Sequence, residues 1–339
     1  MKTYKIDLDY EASLFDPNYQ ENSPGTLKII REFEYVYFLV QKEKTILKNV
    51  KSYEKKYLDH LSALGFTIPE FNPEAGQYKY WWGNHHDREL EQKLNSKLTS
   101  AEIAQKNGWG FHEGAIVESL DQLKVHLKKY SHLEKWIIKR PHSFSGIGHC
   151  QFSATSLDES QLVKILSEKV LLEPVYERVF DIGTTFEIEN GMIKRQFMVE
   201  NFNSHSGRFK GGAGASNVDK FKKYILHKYS YSLDELEKIT QAISQTYLSQ
   251  GAISNIQIDS FVYREEGKLK LYPLVEVNYR KTMGLVIQSL AEKFSDAEWV
   301  EWKVESVKKL KDNPLPNDWI KVSPEGNHFH SFFKKFFRA

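Results

Sequence analysis

Apolar and polar residues alternate in two neighbouring stretches toward the end of the chain, and the pattern predicts a hairpin. Ile256 and Ile258 interleave with Gln257 and Asp259 ahead of Phe261 and Val262, the two-residue period of a strand. Glu265, Glu266, Gly267 and Lys268 follow as a turn. Leu274 and Val275 then lead a second strand in which Glu276, Asn278 and Arg280 alternate with Val277 and Tyr279. Residues two apart share a face, so Glu276, Asn278 and Arg280 point the same way, and pairing the strands brings Asp259 near Glu276.

Other patterns organise the rest of the chain. Residues 35–40 are an apolar run that reads as a strand, residues 50–64 have helical spacing closed by Gly65, and residues 66–69 start a second strand. This strand–helix–strand order suits a small parallel sheet. A helix is predicted over about 100–107, a strand at Ile116 and Val117, and a helix over 120–130 with Leu120, Leu123 and Leu127 on one face. Alternating strands follow around Lys139, over 171–188 and over 192–200. Residues 203–214 are rich in glycine and read as a loop, and residues 233–250 as an amphipathic helix. The tail, 329–338, alternates aromatic pairs with basic residues. It reads as a terminal helix docking its aromatics into the core, with a membrane-surface or partner-binding helix as the alternative.

Composition narrows the class. The 339 residues carry 47 Lys and Arg against 45 Asp and Glu, so no global nucleic-acid footprint is expected. The length suits one multi-lobed enzyme with a sizeable core. The lone cysteine, Cys150, cannot form an intramolecular disulfide, and residues 1–5 show no charged-then-apolar leader, so the chain reads as cytoplasmic. No apolar run is long enough to span a bilayer. Oligomeric state is not readable, and a homodimer stays open.

Three segments carry candidate chemistry. The Glu276, Asn278 and Arg280 row, with Asp259 beside it, offers hard oxygen ligands for Mg²⁺ and a guanidinium for phosphate; the same spacing also suits a hairpin with one solvated face. A buried-type strand ends at Lys139, Pro141 stops it, and a Ser/Gly loop at 143–148 follows, whose N–H groups can surround an anion or simply turn the chain. Glu173, Pro174, Val175, Tyr176 and Asp181 form an acidic connection between strands. Its carboxylates can take ribose hydroxyls and an adenine amino group, or face solvent. Lys97, just before a helix, is a candidate for phosphates or an ordinary helix-start lysine. His85, His86 and Asp87 are adjacent and diverge in direction, which favours a loop or helix start over a metal site.

In this order and at these intervals the three segments resemble the ATP-grasp superfamily, in particular its ADP-forming carboxylate–amine ligases, over roughly residues 95–295. Arg280, two residues after Asn278, is similar to the biotin-carboxylase-like members. The chain departs from the family pattern at Arg140, which separates Lys139 from Pro141; at Asp181, where Glu is commoner; and at Gln257, where several members carry Arg.

The resemblance implies an α/β (α+β) ATP-grasp fold with an N-terminal α/β pre-ATP-grasp lobe over 1–95. A small lobe with the Gly-rich loop would span 96–172, and a large lobe with the metal site and a helical tail 173–339. It implies ATP held by Lys97, Lys139, Ser143, Ser145, Gly146, Gly148, Glu173, Val175, Tyr176 and Asp181. Mg²⁺, one or two ions with Mn²⁺ as a substitute, would sit on Asp259, Glu276 and Asn278, and Arg280 and Lys139 would be catalytic. The implied reaction activates a small carboxylate as an acyl phosphate and joins it to an amine, an amino acid or peptide among the candidates. Arg195, Arg208 and Lys210 would face the substrate, and the loops at 143–148 and 204–214 would close over it. A phosphotransferase on the same scaffold and a non-catalytic nucleotide-binding protein are the alternatives.

Overall fold

The structure, a computed structural model, describes residues 1–16, 18–19, 30–48, 52–142, 149–204 and 207–337. Ser143, Ser145, Gly146 and Gly148 therefore lie outside the described residues. Strands β1 (Lys2–Lys5), β2 (Thr45–Leu47), β3 (Glu70–Phe71) and β4 (Lys79–Tyr80) pair in parallel in the order β3-β2-β1-β4, the small parallel sheet expected for this region. Residues 35–40 depart from expectation. Val36–Val40 is a helix, with Val36, Tyr37, Phe38 and Leu39 all buried in the core shared with the Met283–Lys293 helix. A fully buried apolar run carries no period, so burial rather than alternation decides its conformation. The next helix begins later than its spacing suggests, at Lys55–Ala63, and Gly65 (φ 79) follows its end.

A second sheet joins β5 (Ala115–Val117), β6 (Lys135–Lys139), β7 (His149–Ser153) and β8 (Val170–Pro174) in the order β5-β8-β6-β7, all antiparallel. Trp136, Ile138 and Leu172 point to one side, against Leu123 and Leu127 of the Leu120–Lys129 helix. Lys139 and Glu173 take the other side.

The third sheet holds β9 (Glu177–Glu189), β10 (Met192–Asn203), β11 (Phe209–Gly214), β12 (Ile256–Glu265), β13 (Lys268–Asn278), β14 (Trp299–Ser306), β15 (Ile320–Lys321) and β16 (Phe329–Phe336). Its order is β13-β12-β9-β10-β11-β14-β16-β15. The β12–β13 hairpin is the one expected. Glu266 (φ 49) and Gly267 (φ 76) both take the positive φ of a tight two-residue turn, and the register sets Asp259 opposite Glu276 and Gln257 opposite Asn278. Helices Lys97–Asn107 and Asp234–Ser249 cover the apolar face through Ile103, Ile243, Tyr247, Ile256, Ile258 and Val277. The Met283–Lys293 helix lies on the other face, with Gly284 against Gln257 and Val199.

Two further expectations change. Much of 203–214 is strand: Phe209–Gly214 is β11, in the interior of the sheet. A Cβ on Gly211 (φ 132) would collide with the Trp302 carbonyl and one on Gly212 with the Glu200 carbonyl, so these glycines permit close strand approach rather than a closing loop. The tail is strand β16 instead of a helix. Aromatic doublets put one ring on each face: Phe333 is buried in the core, while Phe336 stacks on Trp299 at 5.0 Å. Among the described residues no helix is long and apolar enough to cross a membrane.

Candidate active site

The site is built on the β12–β13 hairpin. Asp259 accepts from Gln257 Nε2 at 2.7 Å and from Asn278 Nδ2 at 2.9 Å. Gln257 is itself held, its Oε1 accepting from the Thr185 hydroxyl at 3.2 Å and from the Thr282 hydroxyl. Glu276, across from Asp259, meets the Lys97 ammonium at 2.5 Å. Burial, and after it the neighbouring Glu276, pushes the Asp259 carboxyl well above the carboxylate range. Burial also works against charge on Glu276, but Lys97 and then Lys139 prevail and hold it low. Two adjoining carboxylates with only one firmly charged form a site that gains from a cation.

The opposing wall comes from the second sheet. Lys139 at the end of β6 meets Glu173 on β8 at 2.5 Å, both about 3 % exposed, and Tyr272 of β13 donates to the second Glu173 oxygen. Lys139 therefore begins in a buried pair, and any contact with phosphate must draw on it. His149, register partner of Lys139, has a buried Nε2 with no hydrogen-bond partner among the described residues. Burial, then Lys139 and Lys97, lowers its pKa to about 4, so it is neutral near pH 7. Val175 and Tyr176 bridge β8 and β9, and Tyr176 joins a ring cluster in which Phe111 and Tyr272 stack at 3.9 Å. Asp181 shares the face of Asp259 and is ion-paired with Arg178 at 2.7 Å.

Arg280 closes the row. It donates to Asn278 Oδ1 at 2.9 Å and to the Lys281 carbonyl at 2.9 Å, meets Glu11 at 2.8 Å, and leaves Nε buried and unpartnered among the described residues. Sequence reading missed Glu11, His149 and Tyr272. Only His149, which directly follows the Gly-rich loop, carried a local signal.

Several other candidates fall elsewhere. Arg195 pairs with Glu187 and Glu292, and Arg208 and Lys210 are exposed at the start of β11. His85 bonds Asp7 at 2.7 Å, and Asp87 caps the Arg88–Leu94 helix, which accounts for the His/His/Asp run. No three His, Cys, Asp or Glu side chains converge on one point among the described residues. A divalent ion at the hairpin would instead take two carboxylates and the Asn278 amide oxygen, with ligand oxygens filling the rest. Mg²⁺ is suited to that donor set.

No family model and no curated protein matches the sequence. Solved structures do match along nearly the whole chain. N5-carboxyaminoimidazole synthetase from Staphylococcus aureus superposes with a TM-score of 0.57 at 9 % identity over 99 % of this chain and 94 % of that one. The ADP complex of an N5-carboxyaminoimidazole ribonucleotide synthetase gives 0.55 at 11 % identity, covering 99 % and 93 %. The biotin carboxylase domain dimer of Hydrogenobacter thermophilus 2-oxoglutarate carboxylase, in complex with MgADP, ADP and bicarbonate, gives 0.55 at 9 %, covering 98 % and 86 %. This chain has the ATP-grasp fold. Glu276, on the third sheet, is paired with Lys97 and feels the charge of Lys139 on the second.

Proposed function

We propose that this chain is an ATP-dependent, ADP-forming ligase that activates a carboxylate as an acyl phosphate and transfers the acyl group to an amine. The observation that carries this reading is the Asp259–Glu276–Asn278 row, flanked by Lys97 and Lys139 and continued by Arg280. Neighbours of the same fold were solved with ADP, ATP, MgADP or bicarbonate, which supports a nucleotide in this cleft.

Lys97 and Lys139 neutralise the α- and β-phosphates, and Val175 and Tyr176 lie against the base. Asp259, Glu276 and Asn278 hold Mg²⁺, which supplies charge neutralisation at the phosphates when bound. A carboxylate oxygen attacks the γ-phosphorus, the bond to the β,γ-bridging oxygen breaks, and ADP leaves. Arg280 faces the phosphoryl group in transfer, where its fixed guanidinium stabilises developing charge. The amine then attacks the acyl carbon, phosphate departs, and the amine loses its proton. No side-chain nucleophile is required; positioning and charge do the work.

The test is ADP release measured across pairs of acids and amines. Release that needs both partners supports the ligase, whereas release with acid alone and stable phosphorylation of an acceptor points to a phosphotransferase. No nucleotide binding at all would sink the proposal. The biotin carboxylase domain neighbour is a dimer, and light scattering would test that state here.

A further inference from the structure

His149 opens β7 directly across the ladder from Lys139. Residues opposite each other in an antiparallel pair share a face. The next pair along, Ile138 with Cys150, belongs to the apolar side against the Leu120–Lys129 helix, so His149 lies on the Lys139 side. The charges that act on the imidazole come from Lys139 on β6, Lys97 on the Lys97–Asn107 helix, Glu276 on β13 and Arg178 on β9. Elements of both larger sheets thus converge on a ring that the chemistry proposed above leaves unused.

The ring's Nε2 is buried and has no hydrogen-bond partner among the described residues. A polar nitrogen withdrawn from water without a partner costs free energy, and its neighbours do not relieve it. Lys97 and Lys139 are donors only, and each is engaged at 2.5 Å with a carboxylate, Glu276 and Glu173 respectively. Burial, then Lys139 and Lys97, keep the imidazole neutral, with one N–H to offer. A phosphate oxygen arriving at the lysines must compete with Glu173 and Glu276 for them. Among the described residues it has no rival for an N–H at His149 Nε2.

We propose that His149 binds the nucleotide directly, its Nε2–H donating to a non-bridging oxygen of the α- or β-phosphate. This deepens the ligase reading and rests on its nucleotide part, the placing of phosphates by Lys97 and Lys139. A phosphate oxygen only accepts, so it selects the tautomer with the proton on Nε2. His149 neither gives up nor gains a proton in the reaction; it holds the phosphates while the lysines are drawn from their carboxylates.

Calorimetry of the full chain with ADP, AMP and adenosine tests it, with and without Mg²⁺, in wild type, His149→Phe and His149→Gln. Phe keeps a ring and lacks the nitrogens, whereas Gln keeps an N–H donor at similar reach. His149→Phe should weaken ADP binding about 10- to 100-fold, the scale of one hydrogen bond to a charged group, whether or not Mg²⁺ is present and with adenosine affinity unchanged. His149→Gln should recover part of the loss. AMP weakened as much as ADP assigns the α-phosphate, and AMP unaffected assigns the β-phosphate. In nitrogen NMR spectra of protein with isotope-labelled histidine, the signals missing from His149→Phe should shift on ADP addition to those of a neutral ring protonated at Nε2. Unchanged ADP affinity in His149→Phe, a loss shared equally by adenosine, a loss confined to Mg²⁺, or no ADP binding in wild type overturns the proposal. The expected loss of affinity in a chain that releases no ADP with any acid–amine pair would leave His149 on the nucleotide and defeat the ligase reading. ADP release that needs both acid and amine, with wild-type nucleotide affinity in His149→Phe, would do the reverse.

Discussion

Replacing Glu173 with Gln tests the contact where β6 and β8 meet β13 of the hairpin. Glu173 and Lys139 are each about 3 % exposed, 2.5 Å apart on one face of β8 and β6, and Tyr272 donates to the second carboxylate oxygen. Gln keeps an acceptor for Tyr272 but removes the countercharge, so Lys139 is left as a buried ammonium with its net charge uncompensated at contact distance. Breaking such a pair from one side costs about 3–5 kcal/mol. At ~1.4 kcal/mol per decade, that raises the opening equilibrium of the small sheet by about two to three and a half orders of magnitude. Amide hydrogen exchange read by mass spectrometry should show the loss in peptides covering 135–139 and 170–174, with the Val218–Tyr229 helix unchanged as an internal control. Removing both charges in Lys139→Met/Glu173→Gln should recover most of the protection, since a neutral pair of similar volume costs little. Mg-ATP should also restore part of it in the single variant, because its phosphates replace the lost negative charge beside Lys139. Exchange as slow as wild type in Glu173→Gln, or a double variant as labile as the single one, would show that charge pairing does not hold this contact.

Three further outcomes follow from the same site. Glu276→Ala should abolish most ADP release and, by removing the carboxylate paired with Lys97, cost about 1–3 kcal/mol in a urea titration, less than a fully buried pair because Glu276 is 28 % exposed; Asn278→Ala, which removes a neutral ligand, should lose less activity. Unchanged turnover in both variants would displace the metal site from the hairpin. Arg280→Lys keeps the charge but loses the planar fork, and kcat should fall about 100-fold with little change in ATP affinity; weaker ATP binding at unchanged kcat would put Arg280 on ground-state phosphates instead. His149 is held neutral with a pKa lowered from 6.5 to about 4, so below about 6.5 the unfolded chain binds a proton that the native state does not. Its contribution to stability is complete above that pH and is lost as pH falls toward about 4. Urea midpoints measured across this window should drop in wild type and flatten in His149→Phe, and parallel curves would contradict the assignment.

What local pattern could specify, the sequence carried by itself. Ile256, Gln257, Ile258 and Asp259 alternate cleanly, Glu266 and Gly267 accept positive φ, and one apolar face leaves a single register, so Asp259 opposite Glu276 was readable without a structure. Helices with a clear apolar stripe, such as Asp234–Ser249 with Leu236 and Ile243 inside, were readable for the same reason. The tertiary structure decided the rest. Val36–Val40 is buried on every side and fits either period, so packing against the Met283–Lys293 helix chose the helix. Aromatic doublets in Phe329–Phe336 suit a strand between partners as well as a helix, and β14 and β15 on either side selected the strand. The glycines of β11 looked like a loop because their function is steric, and the carbonyls they make room for belong to Trp302 and Glu200, remote in sequence or on another strand. The pairs that tune the cleft, Lys97 with Glu276, Glu11 with Arg280 and Tyr272 with Glu173, join segments far apart in the chain. No periodicity links such positions; they meet only once the sheets have stacked and burial has made an unpaired charge or hydroxyl costly.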